Sequence, residues 1–257
     1  MKRKSSIVQN RRNKILDVLS ENGMGKVEEL AEKLNVSPLT IRRDLEFLEG
    51  QNRLSRFYGG AYLNKTGLIQ DGSDGTSDYI QAIAARAATF VEDNDIIFMN
   101  TSFTAISMIQ YIQKRVTVIT NNGNAFKVKC PPGVTILLTG GELQGSKKAM
   151  TGEFAINNLK RVTATKSFLG CSGFSVNVGM TTALMNEVSI NKLMLTRVTD
   201  STYILADHTK IGGESNFVSS SIENIKNIIP DELVSDSQVK EIEQRNIRVI
   251  RVSRNGD

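Results

Sequence analysis

The chain has 257 residues and a formal net charge of +5, set by 32 Lys and Arg against 27 Asp and Glu. That length suits a small module plus a core-bearing domain. The basic excess is local: residues 1–66 hold 13 basic and 8 acidic side chains, whereas the remainder balances at 19 of each, as a nucleic-acid footprint should. Cys130 and Cys171 have neither the paired spacing of a zinc site nor a disulfide framework. No apolar run approaches the ~18 residues that span a bilayer, and the basic start KRKSSIVQNRR lacks the apolar core of a signal peptide. These features exclude membrane and disulfide-scaffold classes and predict a cytoplasmic protein with no metal or cofactor.

In residues 11–22, Ile15, Val18 and Leu19 set a helical stripe that Gly23 and Gly25 stop. Val27, Leu30, Ala31 and Leu34 form one face of a second short helix over 26–34. In VSPLTIRRDLEFLE (36–49), Ser37 is placed to cap a third helix and Pro38 to open it. Ile41, Leu45 and Leu48 recur at i, i+4 and i+7 and turn inward. Thr40 and Arg43 then project outward, with Arg42 on the flank. Arginine can bridge guanine O6 and N7 in the major groove or clamp a phosphate. Paired arginines occur on any solvated helix; the two preceding helices make this one a helix-turn-helix. Asn52 can take the left-handed stop conformation. LSRFYGGAYL (54–63) predicts a hairpin wing that lays Arg53, Arg56 and Tyr58 along the sugar-phosphate backbone.

The strings TIRRDLEFLE (40–49) and RFYGGA (56–61) resemble the DeoR family of bacterial transcription regulators. That family's winged helix pairs a TIRRDL helix with an R-x-H-G-G-A wing. Asn52 stands where the family usually has Gly, and Tyr58 where it usually has His. The resemblance implies that Ser37, Thr40, Arg42, Arg43, Arg53, Arg56 and Tyr58 meet duplex DNA.

NKTGLIQDGSDGTSD (64–78) is rich in Gly, Ser and Asp and reads as a linker. The expected organisation is therefore a winged helix-turn-helix domain over 1–63, a linker over 64–78 and a second domain over 79–257. From residue 79, amphipathic stretches alternate with the apolar runs DIIFMN, RVTVIT, VTILLT, KSFLGC, STYILA, IKNII and IRVIRV. Helices are expected near 122–129, 152–160, 183–200 and 235–245. The alternation predicts an α/β fold with a mainly parallel sheet and helices on both faces. Ligands of such sheets bind beyond the carboxyl ends of the strands. There the sequence places NTSFT (100–104), TNNGN (120–124), TGGELQG (139–145), GCSGFSVNVGMTT (170–182) and ADHTKIGG (206–213). Polar loops are ordinary at strand ends, but five at one edge point to a site.

This second region resembles the family's effector domain, similar in fold to ribose-5-phosphate isomerase, which senses phosphorylated sugars. The family's first loop usually reads D-x-G-T-T; here Asn100 replaces the Asp and Ser102 the Gly. The resemblance implies an effector site of Asn100, Thr101, Ser102, Thr104, Thr120, Asn121, Gly140, Gly141, Glu142, Gly152, Glu153, Asp207 and Lys210. Gly179, Thr181, Thr182 and Glu187 also match a G-x-T-T and acidic pattern. Lys210 is the expected phosphate partner. His208, the only histidine, reads as a loop residue. The expected function is a non-enzymatic repressor of sugar-uptake or sugar-catabolism genes. It binds double-stranded operator DNA as a homo-oligomer, dimer or tetramer, and is relieved by a phosphorylated sugar. The alternatives are a DNA-binding regulator without a small-molecule effector, suggested by the altered 100–104 loop, and a sugar-phosphate isomerase.

Overall fold

The computed structural model describes residues 2–22, 24–50, 54–57, 59–63, 76–144 and 148–254. The chain divides into two compact units, Met1–Asp71 and Gly72–Asp257.

The first unit holds helices α1 (Lys2–Asn22), α2 (Val27–Lys33) and α3 (Pro38–Gly50), with strands β1 (Met24–Lys26), β2 (Leu54–Phe57) and β3 (Gly60–Leu63). The wing hairpin is present, and β1, too short to be foreseen, extends it into a sheet of order β1-β3-β2. Ile15, Leu19, Leu30, Ile41, Leu45, Leu48 and Leu54 fill one buried core. The apolar stripe of α3 is thus wholly spent on packing, which fixes which of its side chains are left outside.

The second unit is built on seven parallel strands: β4 (Ile96–Met99), β5 (Val116–Thr120), β6 (Val134–Leu138), β9 (Ala164–Gly170), β12 (Val198–Leu205), β14 (Asn227–Ile229) and β15 (Arg248–Val249). Their order is β15-β14-β12-β9-β4-β5-β6. Between β6 and β9 the chain forms the hairpin β7 (Glu142–Gln144) and β8 (Ala149–Thr151). A small antiparallel sheet of β10 (Gly173–Ser175), β11 (Gly179–Thr182) and β13 (Phe217–Ser220) lies beyond β9. The helices are α4 (Thr76–Ala88), α5 (Phe103–Ser107), α6 (Gly152–Lys160), α7 (Met185–Thr196) and α8 (Asp236–Glu243).

Side chains of β4, β5 and β9 alternate between two apolar cores. Ile97, Met99, Val118 and Phe168 meet α4 and α5 on one face. Phe98, Ile119 and Leu169 meet α6, α7 and α8 on the other. Helices on both faces are what a parallel sheet buried on both sides requires.

Three expectations change. Helix α4 begins at Thr76, inside the stretch read as linker, whose residues 64–75 lie outside the described ones. Residues 122–129 contain only a single 3-10 turn, Ala125–Lys127, because Pro131 and Pro132 follow too closely for a helix to grow. The helix expected over 183–200 ends at Thr196, and Val198 already starts β12.

The strand order places the topological switch between β4 and β9: the chain winds outward through β5 and β6, then returns to the other side of β4. The loops that leave β4 and β9 lie at this switch point, where parallel α/β sheets bind their ligands.

Candidate functional site

In the first unit, Ser37 Oγ accepts from the Thr40 backbone N–H at 3.2 Å, capping α3 as expected. Arg42 and Arg43 are exposed, with Arg42 only 4.0 Å from Glu28 in a loose surface pair. Leu39 and Phe47 are exposed on the same helix. The sequence reading missed Asp44. It is buried and accepts from Arg11 Nε at 2.5 Å and Arg12 Nε at 2.9 Å, while the Arg12 guanidinium lies 3.4 Å from the centre of the Phe47 ring. Arg11 and Arg12 therefore fasten α1 to α3, and the adjacent Arg42 and Arg43 keep their guanidiniums outside. Gly59, at φ +88°, turns the wing, and its carbonyl accepts from the Val27 N–H at 2.8 Å. Arg53 and Tyr58 lie outside the described residues, and Arg56 is placed in β2 by its backbone alone.

In the second unit the switch point is bridged by one amide. Asn100 Nδ2 donates to the Gly170 carbonyl at 2.8 Å and to Asn191 Oδ1 at 3.0 Å. Asn100 Oδ1 accepts from the N–H groups of Gly170 and Ser102. Asn100 is buried, so it ties the β4 and β9 loops together and has nothing left for a ligand. Its donors also explain the departure from Asp, since a carboxylate could not satisfy the Gly170 carbonyl. Gly170 is required here, because a Cβ would fall 2.0 Å from Ser102 Oγ.

Around this bridge, Thr101 Oγ1 donates to Glu187 Oε1 at 2.8 Å and Thr182 Oγ1 to Glu187 Oε2 at 2.6 Å. Glu187, from the first turn of α7, is buried, so its carboxylate links the β4 loop to β11. Ser102 caps α5 through the Ala105 N–H, and Thr104 is buried in that helix. Thr120 is also buried; its Oγ1 accepts from the Asn122 N–H. Asn122, which the sequence reading passed over, donates to the Thr101 carbonyl at 3.3 Å. Asn100, Thr104 and Thr120 are therefore supports of the loops and not contacts at their surface. Asn121 and Thr151 are buried, and among the described residues Asn121 Oδ1 and Thr151 Oγ1 have no hydrogen-bond partner. Gly140, Gly141 and Gly152 hold positive φ, and a Cβ on Gly141 would fall 2.4 Å from the Thr151 carbonyl. Glu142 and Glu153 are exposed.

At the end of β12, Asp207 is buried and meets Lys210 Nζ at 2.9 Å. Burial pushes the Asp207 carboxyl up, but the Lys210 charge and hydrogen bonds from Lys210 and Thr209 outweigh it and hold the group below the ordinary carboxylate range. Cys171 in the β9 loop feels the same pair. Desolvation pushes its thiol up to about 12 against the pull of Lys210, so it is an inert thiol at neutral pH. His208 is a loop residue but a tethered one. Its Nδ1 lies 2.9 Å from Asp231 Oδ2, and the fully buried Asp231 also accepts from the N–H groups of His208 and Leu233.

The DeoR-like helix-turn-helix domain model matches residues 11–67, and the DeoR C terminal sensor domain model matches residues 77–232. The chain belongs to the DeoR family. It is a DNA-binding transcription regulator whose reading head precedes a sensor domain. The uncharacterized HTH-type transcriptional regulator YulB of Bacillus subtilis is 31% identical over 96% of this chain and 97% of its own length. The HTH-type transcriptional regulator GolR of Listeria innocua is 30% identical over 93% and 96%. The lactose phosphotransferase system repressor of Staphylococcus aureus is 30% identical over 79% and 84%. A solved ribose 5 phosphate isomerase A from Neisseria gonorrhoeae covers 54% of this chain and 55% of its own at 14% identity and a TM-score of 0.39, a likeness that bears on neither substrate nor chemistry. Among the described residues no helix is long and apolar enough to cross a membrane.

Proposed function

We propose that this DeoR-family regulator is a cytoplasmic repressor of sugar-uptake or sugar-catabolism genes, released from its operator by a phosphorylated sugar. Residues 1–63 act as the reading head, 64–75 as the joint and 76–257 as the sensing and oligomerising domain. Arg42, Arg43 and Thr40 on α3 read or clamp the duplex, with Ser37 fixing the start of that helix. Arg53, Arg56 and Tyr58 of the wing follow the backbone. One head makes few base contacts, so a symmetric oligomer on paired half-sites supplies affinity. The effector acts by binding two arrangements of that oligomer unequally. Kinship with a lactose phosphotransferase system repressor supports the sugar class.

The observation that carries the effector reading is a partly open lysine in the loop after β12, beside the β9 loop whose Cys171 feels its charge. The Lys210 side chain is 28% exposed and faces one carboxylate, so part of its charge is open to an anion. Thr101 and Ser102 stand on the neighbouring β4 loop, which Asn100 ties to Gly170 of β9. Of the carboxylates that could serve an isomerase, Asp207, Glu142 and Glu187, Asp207 is engaged by Lys210 and Glu187 by two threonine hydroxyls. The test is a gel shift on upstream DNA. Arg42→Ala and Arg43→Ala are expected to weaken binding, and unchanged affinity in both refutes the α3 assignment. Binding must also fall steeply as salt rises. A panel of pentose and hexose phosphates is then expected to release wild-type protein but not Lys210→Gln. The saturated amide of Asn100 favours a second reading, a regulator without a small effector. No heat and no release across the panel would establish it.

A further inference from the structure

The two edges of the seven-stranded sheet are unlike. β15 is two residues long, and its Arg248 is exposed, a short charged edge of the kind that resists pairing. β6 is five residues long, reads Val134-Thr135-Ile136-Leu137-Leu138 and carries no charge. Leu137 is 49% and Leu138 43% exposed. Among the described residues no strand pairs with its outer side. A long, apolar, open edge is the arrangement that soluble proteins otherwise avoid.

We infer that β6 is the self-association edge of this protein, pairing antiparallel with β6 of a second copy across a two-fold axis through Ile136. The inference rests on the oligomeric reading above and names the surface that carries it. Two identical strands related by a two-fold must run antiparallel. The ladder with β5 decides which groups are free. Thr139 N–H donates to Thr120 and the Gly133 carbonyl accepts from Val116, so odd-numbered residues point inward and Val134, Ile136 and Leu138 point outward.

Only the register centred on Ile136 matches all three outward residues at once. Ile136 exchanges N–H and carbonyl bonds with its mate; the Val134 N–H stays with the Pro131 carbonyl at 3.3 Å, while Leu138 N–H reaches the Val134 carbonyl of the second copy. That carbonyl already accepts from the Cys130 thiol at 3.3 Å, and its second lone pair serves the new bond. Pro132 stops the ladder, having no N–H to give. Thr135 faces Leu137 in the non-hydrogen-bonded pair. No like charges are opposed anywhere along the strand.

A strand edge alone falls short of the roughly 800 Å² per partner of a stable interface. The flanking segments supply more apolar surface. Phe126, 68% exposed, stands on the 3-10 turn that follows β5. Phe154, 79% exposed, lies on α6 one turn before Asn158, whose amide donates to the Thr139 carbonyl at the end of β6.

The test uses the full chain. Sedimentation of wild-type protein is expected to give an oligomer, and Leu137→Lys with Leu138→Lys to halve its mass. Cross-linking fixes the register independently of whether that variant folds. In protein lacking Cys130 and Cys171, Thr135→Cys with Leu137→Cys is expected to form disulfide-linked dimers on mild oxidation. Opposed non-hydrogen-bonded residues sit about 4.5 Å apart at Cα, within disulfide reach. Neither single cysteine variant should link, because each faces its own mate only along the longer diagonal. An oligomer of unchanged mass in the lysine variant, or no link in the double cysteine variant, overturns the edge while sparing the oligomeric reading. A monomeric wild type overturns both.

Discussion

Two lysines sit at opposite ends of the same parallel sheet and are held in opposite ways. At the amino ends of the strands, Lys166 of β9 is 5% exposed, with its Nζ 2.9 Å from Asp95, 2.8 Å from Glu92 and 3.6 Å from Asp200. Burial opposes its charge, but hydrogen bonds and the charges of Glu92 and Asp95 more than offset this and raise its pKa. At the carboxyl ends, Lys210 meets Asp207 alone and stays partly open. A saturated ammonium is a fastening. A half-saturated one at a switch point still has charge to offer a ligand.

The sharpest way to break this comparison is Lys166→Met. It leaves Asp95 buried without its cation, and removing one member of a buried pair costs about 3–5 kcal/mol. Urea unfolding is expected to show that loss with the slope unchanged. The acid response should also weaken. In the wild type the Asp95 carboxyl is held down: burial raises it, while bonds from Lys166, the Glu92 N–H and Thr165 lower it further. Its contribution to stability is therefore present above the ordinary carboxylate range near ~4 and lost as pH falls through the lower folded value. Without Lys166, burial is opposed only by the Glu92 N–H and Thr165 bonds, so the folded value rises and the stability lost on acidification shrinks. A variant that keeps the wild-type acid profile would show that Asp95 is not the partner that matters.

A smaller loss is expected at the switch point itself. Asn100→Ala strands the buried Gly170 carbonyl and Asn191 amide, an unsatisfied-group penalty of about 1–3 kcal/mol. Asn100→Asp is expected to cost no less, because a carboxylate gives neither bond. If Asp proves neutral, the amide is not what joins the two loops, and the reading of this position as a support fails.

The asymmetry between legible and illegible parts of the chain has the same origin. Ser37, Pro38 and the spacing of Ile41, Leu45 and Leu48 were readable because a cap and a stripe are local rules, obeyed within one helix. The apolar runs that became β4, β5, β6, β9 and β12 were readable because buried parallel strands are continuous. Strands β7, β8, β10, β11 and β13 were not. They are three or four residues each, too short to show an alternating pattern, and are held by antiparallel pairing: β7 with β8, and β11 with both β10 and the distant β13. The loops at the carboxyl edge were correctly located, but which side chains face inward was not. Asn100 meets Asn191, and Thr101 meets Glu187, only after the strand order has brought α7 beside β4. Asp44 went unread for a like reason, since its arginines come from α1, 32 and 33 residues upstream.

The least disruptive change is the most discriminating. In Lys210→Gln the new amide can still donate to the buried Asp207, and only the lysine it replaces is partly open to water, so the stability cost should stay at ~1–2 kcal/mol, that of a weakened bond to a buried group. That is well below the loss at Lys166. The lost quantity is charge, which a phosphate dianion notices more than the fold does. Thermal melting should therefore show the variant close to wild type without ligand, and without the upward shift that a sugar phosphate gives wild-type protein. A Lys210→Gln protein as unstable as Lys166→Met would mean that both ends of the sheet are fastenings. A variant that melts and responds like wild type would leave the carboxyl end without its anion contact.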